Sequence, residues 1–198
     1  KLGIEHHVLP FSEIYGLTLD ELGDERMCTI CSALKRNLLN RWAKLKKITK
    51  LVTGHNLDDE AQSILMNLLR GDAEKIIRST IREREGFVRR IKPLREIPER
   101  EVELYARIKQ IDAHYPPCPY RDPSIRSEIR KMLDEYELRH PNVKYALLSI
   151  PEKIAPLVST HSFKRPLTCR VCGEPSASEG YASCRPLEKL TLKQISDS

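Results

Sequence analysis

The sequence predicts an α/β fold in which parallel strands alternate with helices. Two short apolar runs, residues 50–53 and 87–91, end close to Gly54 and Pro93, and each is followed by a helical pattern. Alternation of this kind forms parallel sheets with flanking helices, and open α/β sheets bind their ligands at the carboxyl ends of the strands. The segment after residue 53 is therefore a candidate ligand site; in the alternative, the acidic residues 58–60 only complement the dipole of the following helix.

The composition allows one sizeable packed domain and a small appendage, since 40% of the 198 residues are hydrophobic and 31% are charged. No apolar run approaches the ~20 residues that cross a bilayer, and no signal segment opens the chain, so we expect a soluble, cytoplasmic protein without membrane contact. The net charge of +6 favours polyanionic partners. Prolines interrupt every periodic pattern beyond residue 150, which predicts a main domain of residues 1–160 and a cysteine-containing tail of residues 161–198.

Helical patterns account for most of the remaining chain. A long amphipathic helix is expected to begin near Ser32, and its exposed positions carry basic side chains, which are either a solvated face or a contact surface for RNA. Further helices are predicted from residues 58, 98, 124 and 143, with Ser124 as an N-cap. The expected apolar faces include Leu34, Leu38, Trp42, Leu45, Tyr105, Ile108, Ile125, Ile129, Met132 and Tyr136.

Six cysteines without a secretory signal favour metal or redox chemistry over structural disulfides. Cys169-Arg-Val-Cys172-Gly173 is typical of a zinc knuckle, in which two thiolates two residues apart hold one ion. Cys184 is the third expected ligand, but Tyr181 stands where a fourth cysteine would complete a tetrahedral zinc site. His161, Glu174 or Glu179 could be the fourth ligand in place of that cysteine. In the alternative, the zinc site is lost and the tail contains free thiols or a disulfide.

Cys28 and Cys31 form a second C-x-x-C pair, and Cys118 is the remaining cysteine. Three thiolates can hold a [4Fe–4S] cluster through three of its irons while the fourth iron keeps an open position. A two-cysteine redox pair, with Cys118 as an unrelated thiol, fits the same spacing. The spacing alone leaves both interpretations open.

Residues 53–62, Thr-Gly-His-Asn-Leu-Asp-Asp-Glu-Ala-Gln, resemble the second nucleotide motif of the PP-loop tRNA thiolases. The other matching features are Lys35 four residues after Cys31, Met66 to Asp72, Cys118-Pro-Tyr followed by Arg126 and Arg130, and the tail from Cys169 to Pro175. The resemblance covers almost the whole chain. It is greatest to the archaeal and thermophilic branch that makes 2-thiouridine in tRNA, and the chain is also similar to the 2-thiocytidine enzymes.

This resemblance implies an adenine nucleotide α-hydrolase-like fold and an ATP-dependent tRNA sulfurtransferase. In this family ATP adenylates the C2 oxygen of a tRNA uridine or cytidine, and sulfur then displaces AMP. The implied assignments are Cys28, Cys31 and Cys118 for a [4Fe–4S] cluster, Lys35 and Asp59 for catalysis, and Gly54, Asn56 and Asp59 for ATP with Mg²⁺. The simpler alternatives are that Lys35 is a surface cation and Asp59 a carboxylate at a helix start.

The resemblance also implies partners. The basic helix faces would hold tRNA, and a sulfur donor, often a small ubiquitin-like carrier that ends in a thiocarboxylate, would supply the sulfur. A homodimer is one expectation for the assembly, because dimers are the commonest closed oligomers.

The chain departs from the family at one important point. The phosphate loop Ser-Gly-Gly-x-Asp-Ser is not present in these residues, although chemistry at the α-phosphate requires its backbone amides. Together with a strand expected over residues 2–10, this predicts a longer natural protein with the loop upstream of Lys1, and no ATP turnover by this chain alone. The alternatives are a non-catalytic RNA- or partner-binding module and an ATP pyrophosphatase that acts on a small acceptor.

Overall fold

The computed structural model describes residues 3–16, 18, 20–22, 27–80, 85–112, 118, 120, 124–158, 167–169 and 173–176. The chain divides into two compact units, one formed by residues 1–42 and 166–198 and the other by residues 43–165. The boundary expected near residue 160 is close to the end of the second unit. The division into a main domain of residues 1–160 and a tail of residues 161–198 stays a prediction.

The smaller unit contains helix α1 (Phe11–Tyr15), a 3₁₀ turn (Asp20–Leu22) and most of helix α2 (Met27–Leu45). The hydroxyl of Tyr15 donates to the carbonyl oxygen of Leu34 at 3.2 Å, which joins α1 to α2. Residues 3–10 form neither helix nor strand, so the prediction of a strand there is wrong. Ile4 and Val8 are exposed in this segment, so it lacks the burial that stabilises an apolar run as a strand.

Helix α2 begins at Met27, earlier than the predicted start at Ser32. The Ser32 hydroxyl donates to the carbonyl oxygen of Thr29 at 3.0 Å, a bond made inside a helix rather than at an N-cap. Ile30 is buried one turn before Leu34, which extends the apolar stripe backwards past Ser32. Cys28 and Cys31 therefore lie within the helix and not in front of it.

The apolar stripe of α2 also differs from the prediction at its C-terminal end. Leu34 and Leu38 are buried and Trp42 is half-buried, but Leu45 is exposed. The helix ends at Leu45, and the turn after it includes Lys47 with a positive φ of 54°. The stripe therefore stops one helical turn before the last predicted position.

The larger unit has a small parallel sheet. Strand β1 (Lys50–Val52) pairs with strand β2 (Arg89–Ile91), with Lys50 opposite Arg89 and Val52 opposite Ile91. Helices α3 (Leu57–Leu69) and α4 (Ala73–Arg78) lie between the strands in sequence, and α5 (Glu99–Ile108), α6 (Ile125–Arg139) and α7 (Val143–Ile154) follow β2. The predicted α/β class is confirmed, and no helix of the described residues could span a membrane.

Helix α3 is the centre of the packing in this unit. Its Leu57 and Ile64 pack with Leu148 of α7, and its Ala61 packs with Ile129 and Leu133 of α6. Leu57 and Ala61 have no exposed surface. Burial of this apolar face holds α3 against α6 and α7, because each buried Leu or Ile side chain contributes roughly 1.5–3 kcal/mol.

Several predicted core residues are wrong. Ile129 is buried as expected, but Ile125, Met132 and Tyr136 of α6 are exposed because the buried stripe of that helix is formed by Ile129 and Leu133. Tyr105 and Ile108 of α5 are also exposed, and α5 has no buried residue.

The described part of the tail forms a short hairpin of β3 (Leu167–Thr168) and β4 (Pro175–Ser176). Cys169 is buried beside it, and Gly173 turns the chain with a φ of 71°. The side chain of Asn40 on α2 donates to Oε2 of buried Glu174 at 2.6 Å, so an amide–carboxylate bond joins the hairpin to the helix. Cys172, Tyr181, Cys184, His161 and Glu179 lie outside the described residues.

Candidate functional site

The segment between β1 and α3 lies at the carboxyl edge of the sheet, where the sequence predicted a site. The Thr53 amide continues the strand pairing by donating to the carbonyl oxygen of Ile91 at 3.0 Å. Because the strands are parallel, residues 53–56 and Lys92 leave the sheet at the same edge. Open α/β sheets bind ligands at this edge.

Asn56 and Asp59 cap helix α3 reciprocally. The Asn56 side-chain oxygen accepts from the Asp59 amide at 2.9 Å, and Oδ2 of Asp59 accepts from the Asn56 amide at 3.2 Å. This capping box satisfies two backbone donors and is worth about 1 kcal/mol. Among the described residues, Oδ1 of Asp59 accepts no hydrogen bond, so that oxygen is available to a ligand.

Neither the backbone conformation nor the packing at position 54 requires glycine. Its φ is not positive, and a Cβ atom built on it would meet no atom within 4 Å. A glycine in such a place permits a close approach of a ligand to the backbone. The role of Gly54 in a ligand pocket stays a prediction.

His55 lies between oppositely charged neighbours at the same edge. Its Nδ1 is 2.9 Å from the Thr53 hydroxyl. Partial burial and the positive charge of Lys92 lower the pKa of His55, although Asp59 and Glu60 act in the opposite direction. Lys92 itself donates to buried Glu60 at 2.6 Å. His55 is therefore biased toward its neutral form near neutral pH.

Asp58, next to Asp59 in sequence, has a different environment. Its Oδ1 is 2.5 Å from Nζ of buried Lys144, and its Oδ2 accepts from the Glu99 amide at 2.6 Å. Burial alone would raise the pKa of Asp58, but the Glu99 amide and the Lys144 ammonium outweigh burial and lower it. Both oxygens of Asp58 are thus engaged within the protein. The sequence did not indicate Lys144, because no local pattern links it to residue 58.

Arg126 and Arg130 of the resemblance motif contact this region from α6. Arg126 donates to Ser63 at 3.2 Å and lies 3.4 Å from the side-chain oxygen of Gln62 on α3. Arg130 forms an ion pair with Glu99 and lies 3.9 Å from Asp134. Both arginine side chains therefore contact other side chains of this chain.

The other predicted site residues lie on helix α2. Cys28, Cys31 and Lys35 occupy positions i, i+3 and i+7, which places them on one face of the helix. Cys28 and Lys35 are exposed and Cys31 is half-buried. Cys118 is exposed and lies outside any helix or strand.

Within the described ranges, no three or more His, Cys, Asp or Glu side chains are grouped closely enough to hold a metal ion. The ligand sets for a [4Fe–4S] cluster and for zinc remain predictions. For the cluster, the donors fit in kind, because iron–sulfur clusters take cysteine thiolates and two of the three lie one helical turn apart.

These features define an α/β protein with a candidate ligand site at the carboxyl edge of its sheet, beside a capped helix. Residues 29–135 match the model of the PP-loop domain family, which is just over half of the chain. The chain therefore belongs to the PP-loop domain family.

The chain is also similar to named proteins and to a solved structure. It is 32% identical to the tRNA 2-thiolation protein NcsA of Haloferax volcanii, covering 96% of this chain and 64% of that protein. It is 34% identical to the cytoplasmic tRNA 2-thiolation protein 1 of Caenorhabditis briggsae, covering 96% and 52%. The structure of the U34-tRNA thiolase NcsA from Methanococcus maripaludis, which has a [4Fe–4S] cluster, matches with a TM-score of 0.78 and 36% identity over 95% of this chain and 61% of that chain. The chain thus spans about half to two thirds of the length of these relatives.

The position of Lys92 predicts a measurable effect on His55. We expect Lys92→Met to raise the pKa of the His55 imidazole, because it removes a positive charge and exposes the ring to the unpaired Glu60 carboxylate. NMR titration of the imidazole protons measures this pKa, and Lys75→Met, at an exposed ion pair on α4, serves as the control.

The same shift has a consequence for stability. Neutral His55 contributes to the free energy of unfolding. This contribution is complete above the ordinary pKa of 6.5 and is lost as the pH falls through the lowered pKa in the folded protein. In Lys92→Met the free energy of unfolding should fall less on acidification than in the wild type. An unchanged pKa in Lys92→Met would contradict the placement of Lys92 beside His55.

Proposed function

We propose that the protein that contains this chain is an ATP-dependent tRNA sulfurtransferase that replaces the C2 oxygen of a tRNA uridine, or cytidine, with sulfur. The observation that carries the proposal is the face of α2 on which Cys28, Cys31 and Lys35 lie together. The similarity to thiolation proteins supports it, including one whose structure has a [4Fe–4S] cluster.

The proposed chemistry has two steps. The C2 oxygen first attacks the α-phosphorus of ATP, and pyrophosphate leaves. A sulfur nucleophile then attacks C2, and AMP leaves with the former C2 oxygen. Adenylation is needed because a carbonyl oxygen is a poor leaving group, whereas AMP is a good one.

The residues of the candidate site have distinct roles in this chemistry. The available Oδ1 of Asp59 would contact Mg²⁺, which prefers carboxylate oxygens. Gly54 and Asn56 would shape the nucleotide pocket, and the ammonium of Lys35 would offset the charge that develops on phosphate.

Cys28, Cys31 and Cys118 would hold the [4Fe–4S] cluster. The exposure of Cys28 and Cys118 fits ligands that must accept a group from outside the folded chain. When bound by three thiolates, such a cluster supplies one iron with an open position that can hold sulfide as a deprotonated nucleophile.

For the tail, we propose a structural zinc ion bound by Cys169, Cys172 and Cys184. Among the candidates for a fourth ligand, Glu174 is buried near Cys169, and the Cys169 amide donates to the Glu174 carbonyl oxygen at 2.9 Å. Its Oε2 already accepts from Asn40, so metal binding by Glu174 would compete with an existing hydrogen bond.

The proposed partners are tRNA, a thiocarboxylate sulfur carrier and a second copy of the protein, and the proposed location is the cytoplasm. Arg41 and Lys46 are exposed on α2 and in the turn after it, and the sequence of α2 contains no acidic residue. This is the surface that we assign to tRNA phosphates.

Gly54 gives the first test. We expect Gly54→Ala to fold with an unchanged Tm, because neither φ nor packing requires glycine, and to bind ATP at least about tenfold more weakly, because the methyl group enters the space assigned to the nucleotide. Calorimetric titration of the full-length protein with ATP and Mg²⁺ measures the affinity. Wild-type affinity in a folded Gly54→Ala protein would remove Gly54 from the site.

The cysteines give the second test. After anaerobic purification of the full-length protein, we expect iron, sulfide and visible absorption that disappear in Cys118→Ala, together with tRNA thiolation. Cys169→Ala is the matched control and should lose zinc but retain iron. Reconstitution that yields zinc but never iron would refute the cluster and leave Cys28 and Cys31 as a redox or persulfide pair.

The third test concerns tRNA. We expect Arg41→Glu combined with Lys46→Glu to weaken tRNA binding and to flatten the dependence of log Kd on log salt by about 0.7–0.9 for each tRNA phosphate that the variant no longer neutralises. Lys131→Glu with Lys153→Glu changes the charge equally, at exposed positions of α6 and α7. Equal weakening in both double variants would show a general charge effect and no tRNA surface on α2.

A further inference from the structure

Lys144 is a buried ammonium surrounded by carboxylates. It is only 5% exposed, and its Nζ lies 2.5 Å from Asp58, 2.8 Å from Asp134 and 2.9 Å from Glu137. Asp134 and Glu137 belong to α6, whereas Asp58 belongs to the first turn of α3. One side chain of α7 thus connects three helices.

The Asp58 carboxylate connects a fourth helix. Its Oδ2 accepts from the amide of Glu99, the first residue of α5. Pro98 precedes that residue and makes no side-chain cap, so Asp58 supplies the missing acceptor from another helix. The Glu99 side chain in turn forms an ion pair with Arg130 of α6.

We propose that Lys144 is a positioning residue for the nucleotide site. Through Asp58 it holds the first turn of α3 in place, and this keeps Asn56 and Asp59 in their capping geometry with Oδ1 of Asp59 available to the ligand. The inference rests on the proposed function and adds a residue to its site.

The adjacency of Asp58 and Asp59 transmits the effect of Lys144. Both aspartates lie in one helical turn, so a movement of the Asp58 backbone moves the Asp59 carboxylate as well. Without Lys144, three carboxylates would be close together with no cation between them, and Asp58 would be driven toward solvent. The neighbouring cation Arg130 already pairs with Glu99 and lies 3.9 Å from Asp134.

The experiment compares Lys144→Met, Lys144→Arg and Asp58→Asn in the full-length protein, with Lys75→Met as the matched control. Lys75 pairs with Asp72 in an exposed position on α4, away from the first turn of α3. Two quantities are measured well below the lowest Tm: hydrogen exchange of the Asp59 amide, and the affinity for ATP with Mg²⁺.

We expect Lys144→Met and Asp58→Asn to accelerate exchange at the Asp59 amide, which donates to Asn56, without equal acceleration along the rest of α3. ATP affinity should fall about tenfold while tRNA affinity is retained, as for other residues that orient a binding group. Lys144→Arg should recover part of both effects, and Lys75→Met should show neither.

Other results would overturn the proposal. It fails if exchange and ATP affinity in folded Lys144→Met stay within about twofold of the wild type, or if exchange changes while ATP affinity does not. If Lys144→Met does not fold, Asp58→Asn gives the same decision, because it removes the charge and keeps the size. A wild-type protein that binds no ATP refutes the proposed function instead, and the exchange data then decide whether Lys144 positions the turn.

Discussion

A buried ammonium needs partners, and Lys144 satisfies this need with carboxylates from two other helices. Burial alone would lower the pKa of Lys144, but the three carboxylates raise it above its ordinary value, so the group stays charged. Loss of the ammonium would leave the buried Asp58 carboxylate without its cation, and removal of one partner from a buried ion pair costs about 3–5 kcal/mol. The packing of α3 on α6 and α7 therefore contains an electrostatic connection as well as an apolar one, and the start of α3 depends on it.

This connection explains why two adjacent aspartates have different environments. Asp58 faces α5 and α7, where both of its oxygens are used, while Asp59 uses one oxygen in the capping box and keeps the other. Acidic residues in a first helical turn, here Asp58, Asp59 and Glu60, commonly complement the helix dipole. In α3, Asp58 also fixes the turn within the fold, and Asp59 presents a carboxylate at the carboxyl edge of the sheet.

Local patterns predicted the parts of the molecule that local interactions determine. The strand that ends at Gly54, the capped start of α3 and the Ser124 cap are all set by residues within a few positions of one another. The start of α2 was misplaced because Ser32 can cap a helix or bond back within one, and only burial of Ile30 decides between them. The contacts of Lys144 could not be predicted, since its partners come from two other helices, one of them 86 residues away in sequence.

Gly54 shows how structure strengthens a sequence motif. In the sequence, a glycine after a strand is explained equally well by a tight turn, by close packing or by a ligand. The structure removes the first two explanations, because φ is not positive and the space around a Cβ atom is open. A close approach by a ligand is the explanation that we propose for glycine at this position. The same edge includes His55, whose bias toward the neutral form means that the positive side-chain charges acting on it come from Lys92 and Arg126.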